Sequence, residues 1–228
     1  MFQFNPDKYN FWKIYDAIKR CYPIGVTKEE GSIYYSYPGL KALEEIIVDN
    51  IHNNAHFIER WVNFTAELGK EIGKEINGTT YGQAPSFSSY VLVDTVTIED
   101  ITRRKELHFF VSLVGPFYTI IGQDNNLIIE NDAVYRSTNY LVVSPEKEYA
   151  DAFILLCEKI ENQFKGFRFV PYKICMQTIE GLSARYTDEK SNSIFHALFN
   201  NQIDFSAVSK IGNGRFKLED WIITDKEN

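Results

Sequence analysis

The sequence predicts an α+β fold: an N-terminal helical layer packed with a four- to six-stranded antiparallel β-sheet and C-terminal helices. Three observations predict it. Apolar residues recur at helical spacing through the first 76 residues, short β-rich runs separated by turn residues fill the middle, and a proline-started, glycine-stopped helical stretch follows them. The 228 residues are 44% hydrophobic, enough for a core without disulfide staples, and 13 Gly and 7 Pro are too few for a collagenous or low-complexity chain.

The first helix is expected after Asn5-Pro6-Asp7, a cap residue followed by proline, with Phe11, Ile14, Tyr15 and Ile18 at helical spacing and Pro23 and Gly25 as the stop. Residues 26–39 read as a loop. The longest pattern follows. Leu40, Leu43, Ile47, Ile51, Ala55, Ile58, Val62, Thr65, Gly69, Ile72 and Ile76 cover 36 residues in ten steps, the 3.6 period of an α-helix. Ile46, Phe57, Trp61, Phe64 and Leu68 widen this stripe to the breadth of a face packed on a core. Asn53-Asn54 predicts a kink or break, and Asn77-Gly78 a stop.

Residues 77–89 (NGTTYGQAPSFSS) form the one linker candidate. Neither side has a self-sufficient core, so residues 1–228 are expected to form a single α+β domain. Within it, residues 1–76 are the helical portion, 77–89 the linker and 90–228 the sheet-and-helix portion. Strands are expected at 90–98, 107–114, 117–121, 127–130 and 140–143, with turns at 99–106, 115–116 and 122–126. Ser144-Pro145 opens a helix that Gly166 closes, 167–174 reads as extended, 191–200 as helical, and 206–223 as a hairpin about Gly212-Asn213-Gly214.

Charge narrows the function. Lys+Arg is 24 against 31 Asp+Glu, a net charge of −7, which disfavours nucleic acid and anionic membranes and suits a basic protein partner. Three cysteines, none in C-x-x-C spacing, speak against a disulfide framework. The N-terminal MFQFNPDKYNFW lacks a basic region followed by an apolar run, and the most apolar stretch, 109–122, is broken at Gly115-Pro116. A cytoplasmic protein is the expectation.

Motifs for chemistry are sparse. His52 and His56 at i,i+4 could share a metal ion, but the general-base position of H-E-x-x-H is Asn53, and both rings fall opposite the apolar stripe beside Glu45, Asp49 and Glu59. Phosphate-binding glycine loops and a complete G-x-S-x-G elbow are absent, and no cofactor is implied. Two features suit recognition. The segment 32–39 mixes tyrosine, serine and glycine, with Tyr34, Tyr35 and Tyr37 as candidate anchors. Residues 29–67 hold seven carboxylates against Lys41 and Arg60, with Glu44, Glu45, Asp49 and Glu59 as candidates to steer and pair. The expected function is a non-enzymatic protein-binding module, in concrete form a bacterial immunity- or antitoxin-like inhibitor of a basic toxin. The abundance of Asn, Ile, Lys, Tyr and Phe matches an AT-rich bacterial genome. Two alternatives stand beside it: a hydrolase assembled from His196, Cys175 or carboxylates near Asp188, and a structural subunit of a larger assembly.

Overall fold

Phe109 and Phe110 are neighbours in the chain and lie in different cores, the period-two alternation of a strand buried on both faces. A computed structural model of the chain describes residues 8–130, 133–184, 192–205 and 209–223. Four long antiparallel strands carry the sheet: β2 (Ser86–Ile98), β3 (Ile101–Ser112), β4 (Phe117–Glu130) and β5 (Ala133–Val142), with the short β1 (Ile76–Gly78) on the β2 edge. Two further strands run parallel to their neighbours. β6 (Arg168–Phe169) pairs with the start of β4, and β7 (Ser209–Ile211) pairs with β5. The fold class is therefore as expected, but the sheet is mixed and seven-stranded.

Helices cover both faces. On one, α1 (Trp12–Cys21) and α3 (Pro38–Ile47) join α7 (Tyr172–Cys175) and α8 (Ile194–Leu198) around Phe110, Ile121 and Leu141. On the other, α5 (Asn63–Ile72) and α6 (Ala150–Gln163) pack on Leu107, Phe109, Val111 and Ile120. The N-terminal helices are thus divided between the two layers. Gly39 permits the close approach of α3 to α1, since a Cβ there would lie 1.8 Å from the Arg20 carbonyl oxygen.

The long helical pattern is broken where Asn53 predicted. Asn53 is extended (φ −75°, ψ 100°), and its side chain caps α4 (Asn54–Phe57) by accepting from the His56 N–H. π-helical turns at Val48–His52 and Ile58–Val62 flank α4. Each π turn holds one more residue than an α turn, so the buried face changes phase. Leu40, Leu43 and Ile47 are buried before the break, and Trp61, Phe64 and Leu68 after it. Ile58 and Val62, placed on the stripe by a uniform period, are 41% and 40% exposed. The helix ends at Gly73 (φ +67°) rather than at Asn77-Gly78.

Other boundaries differ too. The 26–39 loop contains a 3₁₀ turn (Lys28–Glu30), α2 (Ser32–Tyr35) and the start of α3. Both ends of the 77–89 linker belong to β1 and β2, leaving 79–85 between strands. The runs 117–121 and 127–130 are one strand, and residues 101–106 are strand rather than turn. Of the extended piece 167–174, only Arg168–Phe169 is strand; after Pro171 the chain turns helical. The expected C-terminal hairpin does not form within the described residues: β7 pairs with β5, and Leu218–Trp221 is a 3₁₀ turn. The Asn5-Pro6-Asp7 start lies outside the described residues. Among those described, no helix is long and apolar enough to cross a membrane.

Candidate functional site

Of the three tyrosines expected to anchor a partner, one is open. Tyr34 is fully buried in α2, with its hydroxyl donating to the Ser183 carbonyl at 2.6 Å. Tyr37 donates to the Lys19 carbonyl at 2.8 Å and precedes the proline that starts α3. Tyr35 keeps about half its surface exposed (49%) and meets Tyr34 edge-on. The short helix explains the split, because its inward position falls on Tyr34. Glu44, Glu45 and Glu59 are exposed. Asp49 is already compensated, accepting from His56 Nδ1 at 2.7 Å and from Arg60 Nη1 at 3.2 Å.

The two histidines separate. His52 Nε2 donates to the Gly82 carbonyl at 2.7 Å, while His56 turns to Asp49. Among the described residues, no three His, Cys, Asp or Glu side chains gather as a metal site. Cys175 and His196, candidates for the hydrolase alternative, have separate hydrogen-bond partners. Cys175 is fully buried and its Sγ lies 3.5 Å from the Val170 carbonyl; burial pushes the thiol up to about 12. Burial likewise lifts Cys157 to about 11 and raises Cys21. His196 Nδ1 sits 2.7 Å from the Ser193 hydroxyl, which also accepts from the His196 N–H as the α8 cap, and burial lowers its pKa. Asp188 lies outside the described residues.

The densest polar chemistry carries no motif in the sequence. In β4 the run Gly122-Gln123-Asp124-Asn125-Asn126 resembles a turn, yet it crosses the middle of the sheet. Strand alternation sends Gln123 and Asn125 to one face and Asp124 and Asn126 to the other. On the first face the buried Glu106 carboxylate accepts from His108 Nε2 (3.0 Å), Asn125 Nδ2 (3.2 Å) and Arg136 Nη2 (2.5 Å), with Arg104 Nε at 3.3 Å. Burial alone raises the Glu106 pKa, but the His108 hydrogen bond and the arginines outweigh it and hold the carboxyl below its usual range. Burial lowers His108 despite Glu106, so the ring is neutral, with its proton on Nε2. His108 Nδ1 then has no partner among the described residues.

On the opposite face, Arg103 grips the fully buried Asp124 through Nε (2.9 and 3.1 Å) and Nη2 (2.8 Å), and Asn139 donates to the same carboxylate at 2.7 Å. Burial raises Asp124, but these donors more than offset it and its pKa is depressed. Lys105 pairs with Glu148 at 2.5 Å and lies 3.8 Å from Asp94. The signal available in the sequence was the charged run Arg103-Arg104-Lys105-Glu106 beside a second polar strand. It points to cross-strand pairing, but only once the register is known.

Beyond these networks the sheet runs out past its helical cover. Register places Ile98 beside Ile101, Ile101 beside Ile128, and Ile128 beside Tyr135. The four side chains form one row across β2, β3, β4 and β5, exposed by 69%, 46%, 37% and 58%. Val96, opposite Arg103, extends the row. A cleft of about 360 Å³ lies here, between Asp94, Val96 and Ile98 on one strand and Ile101, Arg103 and Lys105 on the next. Both of its cations are held by carboxylates of this chain, while the exposed Glu99 and Asp100 form the turn at the end of the row. The end of the sheet is therefore apolar with an acidic tip.

Comparison with protein-family models, with curated proteins and with solved structures finds no match to this chain.

Proposed function

We propose that this chain is a non-enzymatic protein-binding module that docks a basic partner through the projecting end of its sheet. One observation carries the reading: four large apolar side chains stand in register on one face of the sheet, uncovered. Single exposed apolar residues are ordinary on a protein surface, but a contiguous row with a polar margin is the composition of a contact surface. The acidic tip, Glu99 and Asp100, favours a partner whose apolar patch is bordered by lysine or arginine. Glu44, Glu45 and Glu59 add negative charge on the helical portion, so an immunity- or antitoxin-like inhibitor of a basic toxin, acting in the cytoplasm, is the particular form favoured. Tyr35 is the one tyrosine of the three left to contribute there. The enzyme alternative draws no support from Cys175 and His196, which are each engaged with separate neighbours.

The test compares wild type with an Ile101→Glu/Tyr135→Glu double variant. Both side chains are exposed, so the circular dichroism spectrum should not change. Proteins retained from the native cell are identified by mass spectrometry, and the affinity of each is measured for both forms. A partner with a basic surface that binds the variant at least about tenfold more weakly, ~1.4 kcal/mol, supports the reading. Equal affinity for every retained protein would overturn it. Self-association of the wild type through the same residues would favour the structural-subunit alternative instead.

A further inference from the structure

Beside α5 the sheet ends on an open edge. β1 pairs with β2 at Ile76–Val91, Asn77–Tyr90 and Gly78–Ser89. The Glu75 carbonyl accepts from the Leu92 N–H at 2.9 Å, and the Thr79 N–H donates to the Ser88 carbonyl at 3.0 Å. Alternate residues of an antiparallel strand bond the same neighbour, so residues 75, 77 and 79 face β2, while Ile76 and Gly78 aim their N–H and C=O groups outward. Those four groups have no partner among the described residues. A groove of about 680 Å³ lies next to them. One wall is a helical face, Val62, Thr65, Ala66, Gly69, Lys70 and Gly73, at i, i+3, i+4, i+7, i+8 and i+11. The other is Ile76 and Gly78. Its apolar surface is reachable: Val62 is 40% exposed, Ala66 is exposed, and Phe57 and Ile76 are half-buried. A Cβ at Gly69 would stand 3.6 Å from Ile76 Cγ1, whereas one at Gly78 would meet nothing within 4 Å, so the groove widens from Ile76 toward Gly78. Lys70 and Lys74 sit at the narrow end. Lys70 is exposed, and Lys74 Nζ donates to the Val93 carbonyl at 2.8 Å. The neighbouring carboxylates are turned elsewhere, Glu71 to Lys159 and Glu75 to Asn77 Nδ2 at 2.8 Å.

We propose that an extended segment of a partner protein adds to β1 as a further antiparallel strand, with the pattern apolar-x-apolar-x-acidic. A strand is the occupant that supplies acceptors and donors to the four outward groups of Ile76 and Gly78. Its residues opposite Gly78 and Ile76 carry their side chains on the same face as Ile76, into the groove and about 7 Å apart. Ala66, Gly73 and Gly78 leave the room those side chains fill. The antiparallel sense is the stronger pairing per residue. It runs the segment from Gly78 toward Ile76, and two residues further on a carboxylate meets Lys70 and Lys74. This edge shares no residue with the apolar row at the end of the sheet, so either surface can fail without the other.

The experiment is fluorescence anisotropy of the full chain with a labelled peptide carrying Val-Thr-Val-Thr-Glu. N-methylation of either valine removes an N–H that β1 accepts and should weaken binding at least about tenfold, while N-methylation of the threonine between them should change it less than about twofold. Ala66→Glu should weaken binding about fivefold or more, and Lys70→Glu about threefold, the latter only when the peptide ends in Glu rather than Gln. Both side chains are exposed, so the circular dichroism spectrum should not change. In the complex the Ile76 and Gly78 amides should exchange more slowly with solvent. No binding at about 1 mM protein, equal binding of the valine-methylated peptides, or indifference to Ala66→Glu would overturn the proposal. So would a dimer of the chain alone, seen by sedimentation and lost in Ala66→Glu, with no peptide binding; that result would assign the edge to a second copy.

Discussion

Replacing Glu106 with alanine is expected to cost about 3–5 kcal/mol of stability. The magnitude comes from the groups it leaves behind. His108 Nε2 and Asn125 Nδ2 are buried donors that lose their acceptor, at about 1–3 kcal/mol each. Arg104 and Arg136 retain access to water, so their lost ion pairs add little. For a chain of this length the loss corresponds to a fall in Tm of roughly 6–20 °C by calorimetry. Glu106→Gln keeps an acceptor and should cost about 1–2 kcal/mol. Acid should act in the same direction as the mutation. Glu106 has a depressed folded pKa, so its contribution is present above the unfolded value of about 4.3 and is lost as pH falls through the folded value. His108 is also depressed, so the unfolded chain takes up its proton first, and stability falls with pH below about 6.5. His196 has the same sign. His108→Gln should therefore flatten, without abolishing, the slope just below that pH, by no more than about 1.4 kcal/mol per unit. An alanine variant melting within about 2 °C of wild type would refute the network as a structural element.

Gly39→Ala should destabilise by at least about 1–3 kcal/mol in urea unfolding, because the new methyl has no room against the Arg20 carbonyl and α3 must lift from α1. Trp61→Ala should cost about 3–5 kcal/mol, since the ring stacks on Phe87 at 5.2 Å, packs near Phe109 and donates to Ser89; wild-type stability would place that face of the helix elsewhere. All three thiols should resist a disulfide reagent at pH 8 until the chain unfolds, because Cys21, Cys157 and Cys175 are buried and shifted toward the thiol form. Rapid labelling of one native thiol would contradict this and would favour the thiol-enzyme alternative.

The legible share of the fold was the share governed by local signals. The α+β order, the break at Asn53, the Gly115-Pro116 turn, and α6 bounded by Pro145 and Gly166 depend on residues whose backbone preferences act within a few positions. What escaped depends on distant partners. Gln123 to Asn126 look like a turn because their polarity is visible, whereas Arg103, Arg136 and Asn139, which make that polarity tolerable inside a sheet, lie 13 or more residues away. The uniform helical stripe misplaced Ile58 and Val62 because the two π turns that flank the Asn53 break change its phase without any compositional sign. At the candidate surface, Tyr34, Tyr35 and Tyr37 are alike in sequence; only the direction of a four-residue helix separates the buried ring from the exposed one. The apolar row was hidden for a similar reason, since Ile98, Ile101, Ile128 and Tyr135 belong to four strands and become neighbours through register.

Amide hydrogen exchange of the chain with its retained partner, read peptide by peptide, addresses the docking surface most directly. Slowed exchange at 96–103 and 126–136, with the rest of the sheet unchanged, is the predicted result. Protection confined to α2 and α3, or none at the end of the sheet in a complex that is demonstrably saturated, would contradict it.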